Sequence, residues 1–273
     1  MNALSIDAKE AVVRALVDGA SVRATERMVG VHRDTILSLM VRVGAACQSL
    51  HDETMRDLTV AKIEADEVWC YVQKKQGHMK SGESRLRCGD FWTWVAFDPE
   101  TKLIPAYRVG KRDTRDAKAF MVDLAARLQN RIQLTTDAHA PYIEAVERAF
   151  GGEVDYGVIV KSYEAEEVGP GRYGPPHVTS VSKTVREGGP EWDAISTSLV
   201  ERSNLTLRMS LRRFTRLTNG FSKKVENLKA AVALYMAYYN LVRRHSTIRM
   251  TPAMKAGVTS SFWTVRDLIA LAD

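Results

Sequence analysis

Three carboxylates in this 273-residue chain, Asp66, Asp137 and Glu201, stand where an ionised side chain needs a reason. Asp66 falls in the middle of Lys62-Ile-Glu-Ala-Asp-Glu-Val-Trp-Cys-Tyr-Val72, a run rich in β-formers, where a charge is costly unless it is paired or holds a metal. Asp137 ends the short strand-like run Arg131-Ile-Gln-Leu-Thr-Thr-Asp137, just before Ala138-His-Ala-Pro-Tyr142 opens a helix. Glu201 sits in Ser198-Leu-Val-Glu-Arg-Ser-Asn-Leu-Thr-Leu-Arg208, a stretch with no helix breaker. Strand, strand end and helix thus each carry one acid, spaced 71 and 64 residues apart. Hard oxygen ligands in that number suit Mg²⁺ or Mn²⁺, which keep several waters and complete their shells with substrate phosphates.

The elements that must position these acids can be read outward from Glu201. Arg208 follows seven residues later, close to two helical turns, and Arg212 one turn beyond, so one acid shares a strip with cations. Val200, Leu207, Leu211 and Phe214 recur at helical spacing and predict a buried stripe beside that strip. From Arg202 to Arg249 there are 11 Lys or Arg and one acid, a charge of +10, whereas the whole chain carries +6. The remainder is therefore net acidic, and the sequence pI of about 9.2 reflects one basic segment that favours a polyanionic partner.

Ahead of that segment, the sequence predicts strands over 62–72, 91–97 and 102–109, joined by the polar loop 73–90 and the Asp98-Pro99 turn, with Pro105 at an edge or bulge. A helix over 115–128, with Ala119, Val122 and Ala126 on its buried side, leads to the strand ending at Asp137. A helix over 141–150 and a strand over 154–160 follow. Three strands followed by helix, strand, helix and strand describe a mixed α/β sheet with helices on its faces. Residues 161–193 hold half of the eight prolines and 5 of the 17 glycines, the texture of an inserted loop. Beyond Phe214, Thr218-Asn219-Gly220 turns the chain. Ser222 is placed to cap a long helix to about Arg244, with Val225, Leu228, Val232, Tyr235 and Tyr239 as its core stripe, and Thr251-Pro252 opens a short last helix.

The N-terminal stretch reads as a small all-α unit. Residues 7–18 are amphipathic and stop at Gly19, Ser21 caps a short helix that turns at Gly30, and a second helix runs from Val31 to about Val43. Two helices about a glycine turn form a helix-turn-helix, whose second helix would offer Arg33, Asp34 and Ser38 to a DNA major groove. The alternative is a packing or dimerisation unit, since residues 1–50 hold six cations and five acids, a faint electrostatic footprint. Cys47, Cys70 and Cys88 lack CxxC spacing and His partners, which argues against disulfides and structural zinc. No apolar run approaches the ~18 residues of a membrane span and no leader is evident, so the expectation is a cytoplasmic protein without a membrane partner.

Several strings resemble bacterial insertion-sequence transposases of the insertion-sequence-one type: 198–219, Phe221-Ser-Lys-Lys-Val-Glu-Asn227, Tyr239-Asn240, Arg244-His245 and Thr251-Pro-Ala-Met254. Ser21-Val-Arg-Ala24, Gly30-Val31, Thr35, Ala65-Asp-Glu-Val-Trp69 and Thr136-Asp137 are similar to that family as well, so the likeness spans nearly the whole chain. The resemblance implies an RNase H-like catalytic domain over 60–215 with the insertion 161–193. Before it would come a helix-turn-helix unit over 1–55, and after it a helical C-terminal segment over 216–273 that packs on the catalytic domain. It implies a catalytic and metal-binding Asp-Asp-Glu triad falling on Asp66, Asp137 and Glu201, and a basic partner falling on Arg208. Double-stranded DNA, both transposon ends and target, is the implied partner of a homo-oligomer. Arg202, Arg208, Arg212, Arg213, Arg216, Lys223 and Lys224 are the candidate phosphate contacts of the C-terminal half.

The departures from that family are specific. Glu26 stands where relatives have a small residue, His32 where Ser or Thr caps the second helix, and Ala138 at a position often Gly. The N-terminal zinc-binding cysteine cluster of some members is absent. The expected chemistry uses two Mg²⁺ ions about 4 Å apart, with Mn²⁺ able to substitute, to cleave and rejoin phosphodiesters in line. Rival readings are an RNase H-like nuclease or resolvase that hydrolyses without joining, and a domesticated, non-catalytic DNA-binding regulator.

Overall fold

The computed structural model of the chain describes residues 4–164, 177–216 and 218–273. Its centre is a six-stranded sheet in the order β3-β2-β1-β4-β5-β6, comprising β1 (Lys62–Val72), β2 (Gly89–Phe97), β3 (Tyr107–Gly110), β4 (Ile132–Asp137), β5 (Val154–Glu164) and β6 (His177–Glu187). β1, β2 and β3 pair antiparallel, β1, β4 and β5 pair parallel, and β6 returns antiparallel to β5. The parallel pairs require crossovers, supplied by α4 (Thr114–Ala125) and α5 (Pro141–Phe150). This mixed sheet with flanking helices is compatible with the RNase H-like fold that the resemblance implies.

Alternation along the strands sorts the core into two layers. Ile63, Ala65, Trp94, Ala96 and Leu134 face α4, α5 and the N-terminal helices α1 (Ile6–Val17) and α3 (Arg33–Thr54). Val68, Cys70, Val72, Val95 and Phe97 face α6 (Ser198–Ser210) and α7 (Val225–Ala237). α7 contributes to both layers, with Ala231, Leu234 and Ala237 in one and Leu228, Val232, Tyr235 and Tyr239, just beyond its end, in the other. The stripe expected on that helix is therefore core, and the helix is buried on nearly every side. α8 (Pro252–Lys255), capped by Thr251, and α9 (Val265–Ala270) close the chain.

Several elements differ from the sequence expectation for identifiable reasons. α3 continues to Thr54 instead of ending near Val43, because Gly44 sits where the helix backbone meets Ala230 of α7 and only a missing Cβ allows the approach. α2 (Val22–Val29) is capped by Ser21 and ends at Gly30 with φ 72° as expected. The two unusual residues of the following turn act together: Oε1 of Glu26 accepts the Arg33 N–H at 2.9 Å, and Nδ1 of His32 accepts that of Asp34 at 3.3 Å, so α3 is capped without a hydroxyl.

α4 buries Ala117, Phe120, Met121 and Leu124 rather than Ala119, Val122 and Ala126; Val122 is 46% exposed. β3 begins only at Tyr107, because the backbone of Ile104 ahead of it is held by the Asn240 side chain, which both donates to its carbonyl (2.9 Å) and accepts from its N–H (3.0 Å). Ser222 does not cap α7. Its carbonyl accepts from Gln73 N at 2.8 Å, and a π-helical turn over Tyr238–Val242 ends the helix short of Arg244. The segment 161–193 is not simply a loop: β5 runs on to Glu164, and β6 pairs with it as a long hairpin. Its Gly169–Pro176 run lies outside the described residues. Among the described residues no helix is long and apolar enough to cross a membrane.

Candidate metal and nucleic-acid site

The register Ala65↔Thr136 between β1 and β4 sets Asp66 and Asp137 side by side at the carboxyl end of β4. Asp66 faces α6, where its Oδ2 accepts from the Asn204 amide at 2.9 Å. Glu67, the next residue, points through the other face of the sheet toward α5 and accepts from the Tyr142 hydroxyl at 2.9 Å. Asp137 caps the turn that follows it, Oδ1 accepting from His139 N at 3.0 Å. One oxygen from each of Asp66, Glu67 and Asp137 lies within 4.8 Å of the others.

Glu201 comes to the same cleft from α6. Two turns of design put it there. Glu64, on the Asp66 face of β1, accepts the N–H groups of Leu199 and Val200, both at 2.8 Å, and so caps the helix from the strand beneath it. Val200, Leu207, Leu211 and Phe214 are all buried, as their spacing predicts, and fix the helix rotation. The Glu201 carboxylate then accepts from the Thr197 hydroxyl at 2.8 Å and from the Lys161 ammonium of β5 at 2.5 Å. Asp66, Asp137, Glu201, Arg112, His139, Lys161, Tyr163 and Thr197 line one cleft of about 550 Å³.

Burial is the main influence on the acids of β1. Burial, reinforced by the charges of Asp137 and Glu201, pushes the Asp66 carboxyl up to about 6. Burial and the charge of Asp137 push Glu67 up to about 7 against the pull of Arg112. Burial also raises Glu64. The oxygens that Asp66, Asp137 and Glu201 offer are all hard carboxylate donors, so the residues present fit Mg²⁺ or Mn²⁺ and suit softer metals poorly.

The cations expected from sequence fall into different surroundings. Arg208 is partly buried, its Nε has no partner among the described residues, and burial and the charge of Arg216 hold its pKa below the usual arginine range while Asp66 counters them. Arg202, Arg212, Arg216, Lys223 and Lys224 are exposed. Arg213 turns inward: one Nη contacts Sδ of Met40 at 3.3 Å, and burial lowers its pKa to about 10. Arg33, Asp34 and Ser38 are exposed on the first turns of α3, away from the acidic cleft in sequence and on a separate element.

Sequence reasoning missed Glu64, Glu67, Arg112, Lys161 and Asn204. The three acids of Lys62-Ile-Glu-Ala-Asp-Glu67 within a strand were the available signal for the first two, and Asn204, one turn after Glu201, was readable from helical spacing. Arg112 and Lys161 carry no local signature.

No known protein family matches the chain, and no curated protein does so either. Solved structures that match include a chain from the crystal structure of the Mos1 mariner paired end complex with Mn, 12% identical, with a TM-score of 0.21, covering 54% of this chain and 57% of that one. The match thus spans little more than half the length of that solved chain.

Proposed function

We propose that this chain is a DNA transposase of the insertion-sequence-one type, acting on the ends of its element with the triad Asp66, Asp137 and Glu201. The observation that supports the reading is that Asp66 and Asp137 share a compact cluster of carboxylate oxygens with Glu67, and that Glu201 of α6 lines the same cleft, beside a segment of charge +10. Asp66 and Asp137 would hold the divalent cation, Mg²⁺ or Mn²⁺, with Glu201 completing the set for a second ion. When bound there, such ions supply activation of an oxygen nucleophile and stabilisation of the leaving oxygen.

The chain's own residues do the positioning. Glu64 fixes the first turn of α6, Thr197 and Lys161 orient the Glu201 carboxylate, and Asn204 orients that of Asp66. Arg202, Arg208, Arg212 and Arg216 would contact backbone phosphates along the same helix and its extension, with Lys223 and Lys224 beyond. The exposed Arg33, Asp34 and Ser38 at the start of α3 would read base edges, and a homo-oligomer would bring two DNA ends together.

The test is strand cleavage and transfer with DNA carrying the short inverted ends that flank the coding region. Exchange of Asp66 or Asp137 for Asn, or Glu201 for Gln, is expected to lower cleavage by about 10³-fold or more while binding persists. An amide variant that cleaves at the wild-type rate removes its residue from the mechanism. Hydrolysis without joining of 3′ ends to a second duplex would instead favour a nuclease or resolvase, and metal-dependent cleavage absent altogether would favour a DNA-binding regulator.

A further inference from the structure

We infer that Arg112 is a phosphate-binding residue of the acidic cleft, and that Glu67 is the positioning residue that aims it rather than a ligand of the divalent ion. The inference rests on the proposal that DNA is the substrate. Glu67 is the third acid of the compact oxygen cluster, so its obvious assignment is to the metal. Its surroundings argue otherwise. The side chain is 1% exposed, one carboxylate oxygen pairs with Nε of Arg112, and the other accepts from the Tyr142 hydroxyl, itself fully buried. Both oxygens are engaged on the α5 side of the sheet, opposite to the side from which Glu201 approaches.

Arg112 is the outward-facing half of this arrangement. It lies in the short link between β3 and α4, its guanidinium carbon sits 5.0 Å from the ring centre of Trp92, and its side chain is 37% exposed. Glu67 takes Nε, leaving the two terminal nitrogens with no hydrogen bond among the described residues, one of them 3.7 Å from Oδ2 of Asp137. A guanidinium held at Nε and seated over an aromatic ring keeps its other edge available as a fork. That fork opens into the cleft beside the carboxylate assigned to the metal, where a bridging DNA phosphate would accept two parallel N–H bonds. A purely structural ion pair would need neither the free edge nor its place at the cleft.

The experiment uses the full chain and a fluorescently labelled DNA duplex, with affinity measured over a range of salt. Arg112→Gln is expected to weaken binding about five- to tenfold and to reduce the slope of log affinity against log salt by about 0.9, the loss of one phosphate contact. Arg112→Lys should keep the slope and recover only part of the affinity, because an ammonium restores the charge without the fork. With Mn²⁺, Arg112→Gln should raise KM more than it lowers kcat. Glu67→Gln, folded by its melting profile, should also weaken DNA binding, while its Mn²⁺ affinity by electron paramagnetic resonance falls less than about threefold, the effect of one screened charge. A fall beyond about tenfold would make Glu67 a direct ligand and overturn its assignment as a positioning residue. Wild-type chain that binds and cleaves DNA alongside an Arg112→Gln variant of unchanged slope and KM would overturn the phosphate role alone. Wild-type chain that binds no DNA would overturn both this inference and the reading beneath it.

Discussion

The Lys161 ammonium lies 2.5 Å from Oε1 of Glu201, so a cation on β5 occupies the carboxylate that α6 brings to the cleft. The lysine side chain is 17% exposed and the glutamate 43%, a half-screened pair. The pairing competes with any divalent ion for the same oxygens. Lys161→Met should therefore raise Mn²⁺ affinity about two- to fivefold, equivalent to ~0.5–1 kcal/mol for a partly exposed pair, and the gain should shrink as salt is added. Manganese titration by electron paramagnetic resonance reads this directly. Equal affinity in the variant would mean that the lysine leaves Glu201 free in solution.

A second prediction concerns the helix that carries Glu201. Because the Glu64 carboxylate receives two N–H groups of the first turn of α6, Glu64→Ala leaves both without that acceptor inside a buried strand-helix contact. The expected cost is about 1–2 kcal/mol, that of a lost helix cap. Cleavage should fall by much more than stability predicts, since Glu201 sits in that same turn. Glu64→Gln keeps an acceptor oxygen and should recover most of the stability. Denaturant midpoints and single-turnover cleavage of the two variants separate the effects, and a Glu64→Ala protein with native stability and rate would dismiss the cap.

The sequence made the three strand-and-helix acids legible because each violated its local pattern: Asp66 inside a β-rich run, Asp137 at a strand end, Glu201 in a cationic helix. The buried stripe of Val200, Leu207, Leu211 and Phe214 was equally legible from its period. What escaped was whatever depends on partners distant in sequence. Lys161 meets Glu201 from a strand 40 residues earlier, and Arg112 meets Glu67 from 45 residues later, with no motif at either place. β6 escaped for another reason. Its β-branched residues Val178, Thr179, Val181, Thr184 and Val185 are all exposed, so no apolar face against a core marks a strand, and the neighbouring prolines and glycines dominate the composition. The buried side of α4 was misjudged because Ala119, Val122 and Ala126 also recur at helical spacing, and only the Phe120–Met121–Leu124 volume decides which stripe turns inward.

Gly44 gives a test of the packing that joins the N-terminal helices to α7. A Cβ built there would lie 2.3 Å from the carbonyl oxygen of Ala230 and 2.8 Å from its Cα, both backbone atoms that cannot step aside. Gly44→Ala gains up to ~1 kcal/mol of helix propensity, yet forces α3 and α7 apart. The net expectation is destabilisation by about 2 kcal/mol or more, read from urea or thermal unfolding. A variant as stable as the parent, or more so, would show that the two helices can separate freely.

The last prediction is a pH dependence that arises away from the cleft. His51 on α3 is buried, with Nε2 3.1 Å from the Pro105 carbonyl and its ring edge-on to Tyr107, while Nδ1 has no partner among the described residues. Burial, aided by the charge of Arg127, lowers its pKa from 6.5 to about 3. The folded protein therefore keeps His51 neutral where the unfolded chain binds a proton. Its contribution to stability is whole above pH 6.5 and is lost progressively as pH falls toward 3, with a slope approaching ~1.4 kcal/mol per pH unit for one proton. His51→Gln retains an N–H donor for Pro105 but cannot titrate. Its unfolding free energy should be lower than the parent's at neutral pH yet decline less steeply on acidification, by about one proton across the middle of that range. Chemical unfolding curves at a series of pH values measure both slopes, and identical slopes would mean that His51 is protonated in the native state and that the contact between α3 and the β3 edge is more open to water than its burial indicates.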